Sequence, residues 1–136
     1  VRVGKRVFVS GVGDSRAYLF HEGKLTLLSH DQTLAQPLAD NGVIDPSEVE
    51  NHRFSHVLVS ALGCTSNMEP LYGRHELQPA DKLMICSDGL TKHVGEREIA
   101  AILAQKSSAK ASCDRLVDTA NESGGADNVT VVLANF

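Results

Sequence analysis

The sequence carries no excess of basic charge. Thirteen Lys and Arg stand against seventeen Asp and Glu, for a net charge of −4 at pH 7, and no basic stripe runs along the chain. Nucleic acid and anionic membranes are therefore poor first candidates for partners. No apolar run approaches the ~18 residues that a membrane-crossing helix requires, so the expectation is a soluble protein. Cysteine is scarce. Cys64, Cys86 and Cys113 are odd in number, widely spaced and form no C-x-x-C, which argues against a disulfide framework and for small reduced core residues of a cytoplasmic chain. Internal repeats, low-complexity tracts and linkers are lacking as well.

What is present reads as one domain over 1–136. Hydrophobic residues make up 42% and charged residues 22% of the 136, near the globular average. A strand is predicted over 6–13, followed by a hairpin of 16–21 and 24–28 about a Glu22-Gly23 turn. A short helix around 34–39 stops at Asn41-Gly42, and a second one follows Asp45-Pro46-Ser47, where proline suits a first turn. Strands are expected at 74–77 and 82–86, the second nearly all apolar and so buried on both faces. Helices over 96–105 and 112–121 show apolar residues at helical spacing, and a last strand covers 128–133. Strands, then helices, then a strand make an α+β fold with mainly antiparallel pairing.

Several familiar signals do not hold. Gly11-Val12-Gly13-Asp14-Ser15-Arg16 lacks the last glycine of a dinucleotide fingerprint and leads into a strand where a helix is needed. Gly13-Asp14-Ser15-Arg16-Ala17 is unsuited to a nucleophile elbow for the same reason. His52 and His56 are spaced i, i+4, but Arg53-Phe54-Ser55 between them lacks the glutamate of a zinc hydrolase, and solvated loop histidines are commoner.

Three aspartates remain, each near a strand end and near glycine: Asp14 after Gly13, Asp88 before Gly89, and Asp127 after Gly124-Gly125-Ala126. Carboxylates without a Cys/His set favour a hard cation, Mg²⁺ or Mn²⁺, over zinc. Glycine beside them lets the backbone turn sharply and approach a ligand. Equally, Asp-Gly and Gly-Asp are common turn and cap residues. Spacing alone leaves both readings open.

Five segments in order resemble the metal-dependent serine/threonine protein phosphatases of the 2C type. They are Gly13-Asp14-Ser15-Arg16-Ala17-Tyr18-Leu19, Ser29-His30-Asp31-Gln32-Thr33, Ala61-Leu62-Gly63, the run from Asp81 to Leu90 containing Cys86-Ser87-Asp88-Gly89, and Gly124-Gly125-Ala126-Asp127-Asn128-Val129-Thr130. The resemblance implies a four-layer α-β-β-α sandwich with a binuclear Mg²⁺/Mn²⁺ centre at one end of the sheets. By motif, Asp88 and Asp127 match two metal-binding aspartates. Asp14, with Asp88, matches the holder of a third, weaker ion in bacterial members. Gly89 and Asn128 match residues that shape the site, Asp81 one that braces a strand, and 34–56 the flap beside the site. The implied reaction is hydrolysis of phosphoserine and phosphothreonine in proteins, with a metal-activated water and no side chain as nucleophile. The implied partner is a phosphoprotein substrate, opposed by a Ser/Thr kinase.

The sequence departs from the family pattern in two ways. The family domain is longer, and its N-terminal part is expected to be absent from a sequence that starts at Val1 and holds no Asp or Glu upstream of Asp14. The family's bridging aspartate, early glutamate and phosphate-gripping arginine thus have no counterpart. Ser60 stands where arginine is usual. The expectation is an incomplete sandwich with partial metal binding, weak or no activity alone, and an uncovered face open to self-association. The alternative from another class is a non-catalytic phosphatase-like module that binds a partner or regulates a kinase.

Overall fold

β-branched and aromatic residues at alternating positions build two antiparallel sheets. The computed structural model describes residues 1–63 and 70–136. Strands β1 (Arg2–Val3), β2 (Arg6–Gly11) and β5 (Leu71–Glu76) form one sheet in the order β1-β2-β5. Strands β3 (Arg16–His21), β4 (Lys24–Leu27), β6 (Lys82–Cys86) and β7 (Val131–Asn135) form the other, in the order β4-β3-β6-β7. Two longer helices, α3 (Glu96–Leu103) and α4 (Ala109–Glu122), pack on the second sheet, α3 against β4 and α4 against β7.

The main core lies between that sheet and those helices. Tyr18 and Phe20 from β3, and Met84 and Cys86 from β6, occupy alternate positions and face Ile99, Ile102, Leu103, Leu116 and Ala120. Ser108 starts α4 by accepting a hydrogen bond from the Ala111 amide at 3.1 Å. Cys86 is buried, which pushes its thiol up to about 11. Cys113 is half-buried, and both are free thiols. Cys64 lies outside the described residues.

The expectation that β6 is buried on both faces is corrected. Ile85 is 45% exposed, and Val132 beside it on β7 is 59% exposed. Helices cover the Met84 and Cys86 side, while the side bearing Ile85 is left largely open. Boundaries also shift: the last strand starts at Val131 rather than 128, because Ser87 pins the backbone at Asn128 and Thr130 outside the ladder. A one-turn helix not foreseen in the sequence, α2 (Asp88–Thr91), follows β6 directly.

Between β4 and β5 the chain makes a closed excursion. Its base is tied by Leu34 N to Val57 O (2.8 Å) and Val59 N to Gln32 O (2.9 Å). The excursion contains α1 (Gln36–Asp40) and a 3₁₀ turn, Pro46–Glu48, begun by a reciprocal capping box between Asp45 and Glu48. It has its own small core of Ala35, Ala39 and Val49, with Ile44 and Phe54 packed against it.

Truncating Leu116 to Ala is expected to lower stability by about 2–5 kcal/mol, since the side chain is fully buried in the main core. Val132→Thr on the open face should change it by less than about 1 kcal/mol. Urea denaturation of the two variants checks the contrast.

Candidate metal-binding site

The cross-strand register sets up the site. Arg16 pairs with Cys86, and Cys86 pairs with Val131, so the start of β3, the end of β6 and the start of β7 lie side by side. Asp14, Asp88 and Asp127 sit just beyond those positions, on one end of the sheet. The structure thus gathers at one rim three acidic residues that the sequence holds far apart.

Each turn at that rim is held separately. At Gly13, which has φ +99°, the amide donates to Gln32 Oε1 at 2.9 Å and the carbonyl accepts from the Gln32 amide at 3.0 Å. Past β6, Ser87 Oγ donates to Asn128 O (3.1 Å) and accepts from Thr130 N (3.0 Å), fastening the loop before β7 to the end of β6. His93 Nε2 accepts from the Ala126 amide at 3.3 Å. At Gly89, where α2 meets this loop, a Cβ would stand 2.4 Å from Asn128 O and 3.0 Å from Asn128 C. No side chain fits there.

This packing brings two carboxylates onto one cationic position. Lys92 Nζ lies 2.5 Å from Asp88 Oδ2 and 3.2 Å from Asp127 Oδ2. Asp127 also accepts the Asn128 amide at 2.8 Å; that bond, and then Lys92, hold its carboxyl below the usual range. Hydrogen bonding to Asp88 raises the Lys92 ammonium. Asp14 is raised instead, first by burial and then by the Asp88 charge. Two carboxylates that share one cation are the hard-oxygen donor chemistry that Mg²⁺ or Mn²⁺ takes. Among the described residues, however, no three carboxylate, imidazole or thiol side chains lie close enough to hold an ion. The donor set therefore fits part of a metal site.

Asp14, Asp88 and Lys92 also line a cavity of about 260 Å³, whose far wall is the excursion, through Val49, Glu50, Asn51, Ser55 and His56. Arg16 joins the two walls. It forks onto Asp31 (Nη2 to Oδ2 2.8 Å, Nε to Oδ2 3.0 Å) and reaches Glu50 Oε1 at 2.9 Å. Thr33, 2% exposed, lines the same cavity, and its Oγ1 has no protein hydrogen-bond partner. His52 and His56 stand in turns rather than on a helix: His52 Nδ1 accepts from the Phe54 amide, and His56 Nδ1 meets Ser55 Oγ at 2.9 Å. Asp81 is at the opposite end of the sheet. It is buried and bonded to His21 Nδ1 (2.6 Å) and the Gln78 amide (2.7 Å), a bracing role.

Sequence reasoning missed Lys92, Arg16 and Glu50. Lys92 is i+4 from Asp88, the spacing of facing charges on a helix, and reading 88–92 as helical would have found it. Arg16 shares a strand face with Tyr18 by the two-residue period. Nothing in the sequence marks Glu50 as its partner.

Gly89→Ala is expected to push the Asn128 backbone away, to separate Asp127 from Asp88, and to destabilise the chain by about 1–3 kcal/mol. Amide exchange at Asn128 and Thr130, with a urea melt, checks both effects. Arg16→Met leaves the nearly buried Asp31 without its fork and should cost about 2–3 kcal/mol. Glu50→Gln, at an exposed partner, should cost less than about 1 kcal/mol in the same measurement.

No protein-family model matches the chain. Its relatives are nonetheless clear. It is 38% identical over 124 residues to a Streptococcus pyogenes protein assigned as a 2C-type protein phosphatase, covering 91% of this chain and 50% of that one. It is 37% identical over 132 residues to the serine/threonine protein phosphatase PstP of Mycobacterium tuberculosis, covering 97% of this chain and 25% of that one. The solved serine/threonine phosphatase of S. agalactiae superposes with a TM-score of 0.92 at 32% identity, over 97% of this chain and 55% of that one. The catalytic domain of PstP in complex with two manganese ions superposes at 0.85 and 36% identity, over 99% and 55%. The chain spans about half or less of each of these proteins. Fold, motif order and identity agree: along nearly its whole length the chain is similar to 2C-type serine/threonine phosphatases, and it corresponds to about half of the solved PstP catalytic domain.

Proposed function

We propose that this chain takes part in metal-dependent hydrolysis of phosphoserine and phosphothreonine in proteins. The observation that carries the reading is the convergence of Asp88 and Asp127 on one cationic position, at the rim where the matched motifs meet. Asp88 and Asp127 would hold Mg²⁺ or Mn²⁺ of a binuclear centre, and Asp14 with Asp88 a third ion. When bound, the cations neutralise charge on the phosphoryl oxygens and acidify water. The chain's own residues do the positioning. Gly89 admits the Asn128 backbone, Ser87 and His93 fasten the loop that carries Asp127, and Arg16 steadies the cavity wall through Asp31 and Glu50.

The excursion over 34–56 acts as the flap beside the site, and the partner is a phosphoprotein whose phosphate a Ser/Thr kinase installs. A cytoplasmic setting agrees with the free thiols of Cys86 and Cys113. Ile85 and Val132 on the open sheet face give a patch through which two copies associate. A second reading, a non-catalytic module, is favoured by one observation: among the described residues no set of three donors surrounds an ion position.

The test is hydrolysis of p-nitrophenyl phosphate and of a phosphothreonine peptide, with and without Mn²⁺. Weak turnover is expected that requires Mn²⁺ and falls by about tenfold or more in Asp127→Asn. Turnover indifferent to Mn²⁺ or to the substitution overturns the assignment. Retained Mn²⁺ binding with no turnover selects the non-catalytic module.

A further inference from the structure

Asp88 and Asp127 repel each other, yet the backbone holds both at one spot. Lys92 Nζ sits between them, 2.5 Å from one carboxylate and 3.2 Å from the other. The ammonium is supplied by the same helical turn that carries Asp88, and it lies four residues later, where side chains face one another. That turn is fastened to the Asp127 loop by the Gly89–Asn128 contact and by His93. Lys92 is therefore presented to the acidic pair by the fold itself.

We infer that Lys92 is a built-in counter-ion: it occupies the position between Asp88 and Asp127 that a hard divalent cation would take, and such a cation must displace it to bind. The inference rests on the metal-site reading above and adds to it the residue that sets the affinity. The charges support it. The two carboxylates offer −2, and the ammonium already satisfies one oxygen of each. A divalent ion bound to those same oxygens would stand against a positive charge at close range, so one of the two cations has to leave.

Lys92 can leave. Its side chain is 42% exposed on a flexible four-carbon stem. It also lines the cavity that contains Asp14 and Glu50, so a displaced ammonium keeps carboxylates within its surroundings. Displacement then exchanges one ion pair for others rather than stripping a charge bare. In the absence of a divalent ion, Lys92 keeps the two acids together. In its presence, Lys92 weakens binding.

The experiment is a Mn²⁺ titration of the full chain, followed by the electron paramagnetic resonance signal of free aqueous Mn²⁺, a readout independent of turnover. Lys92→Met is expected to bind Mn²⁺ about threefold to tenfold more tightly, the size of two exposed ion pairs. Lys92→Arg, which keeps the charge, should bind as the wild type does, and Asp127→Asn should bind more weakly. Lys92→Gln repeats the neutralisation with a polar side chain should the methionine variant fold poorly. Unchanged or weaker binding in the neutral variants, with Asp127→Asn still weakened, overturns the role of Lys92 alone. Wild-type binding in Asp127→Asn, or no Mn²⁺ binding in any variant, overturns the metal-site reading together with it.

Discussion

The close approach of the α2 backbone to the loop before β7 is the contact on which the site depends. Gly89 and Asn128 meet with no room for a Cβ, and everything else at the rim follows from that distance. Because α2 starts at the residue after Ser87, Asp88 is carried to the same place as Asp127. Two like charges are expensive to bring together, and the structure offsets this cost with Lys92 rather than by burial: both carboxylates stay substantially solvated. Hydrogen bonds through Ser87 and His93 hold the loop as well, alongside the contacts that Asp127 makes with the Asn128 amide and Lys92.

A second level of organisation lies between the sheet end and the excursion over 34–56. The excursion has its own small core and a tied base, so it behaves as a unit. Arg16 connects it to β3 by sharing its guanidinium between Asp31, at the foot of the excursion, and Glu50 within it. The two halves of this connection differ in strength. The Asp31 fork is nearly buried and bidentate, whereas Glu50 is exposed. The wall of the cavity nearest the sheet is thus tied by the more strongly held pair, and the wall that contains Glu50 by the more exposed one. Motifs that look independent in the sequence, Gly13-Asp14 and Asp31-Gln32-Thr33, turn out to be one structural feature. Gln32 clamps Gly13 and Asp31 holds Arg16.

Much of the fold was legible because it is written in local patterns. The hairpin of β3 and β4, the helices α3 and α4, and the stop at Asn41-Gly42 follow from alternation, helical spacing and turn chemistry. The short helix expected after Asp45-Pro46-Ser47 is present as a 3₁₀ turn over Pro46–Glu48, and its capping box with Glu48 comes from the structure. The errors have physical causes. β6 is apolar throughout, and that composition does not reveal that one of its faces lies largely open at Ile85. β7 starts later than its Val-Thr-Val run suggests because Ser87 takes the backbone groups of Asn128 and Thr130. α2 escaped notice because a single turn of four residues has no period to detect.

By itself the sequence determined which chemistry was available: carboxylates without a thiol or imidazole set, glycines where the chain must turn or approach, and the motif order of a phosphatase family. Those properties belong to side chains and to short windows, so they can be read along the line. Tertiary structure decided which acids meet and what lies between them. The pairing of Arg16 with Cys86 and of Cys86 with Val131 selects one rim from many possible ones. The placement of Lys92 between Asp88 and Asp127, and of Glu50 against Arg16, joins residues distant in sequence, and no local pattern encodes a partner across that distance.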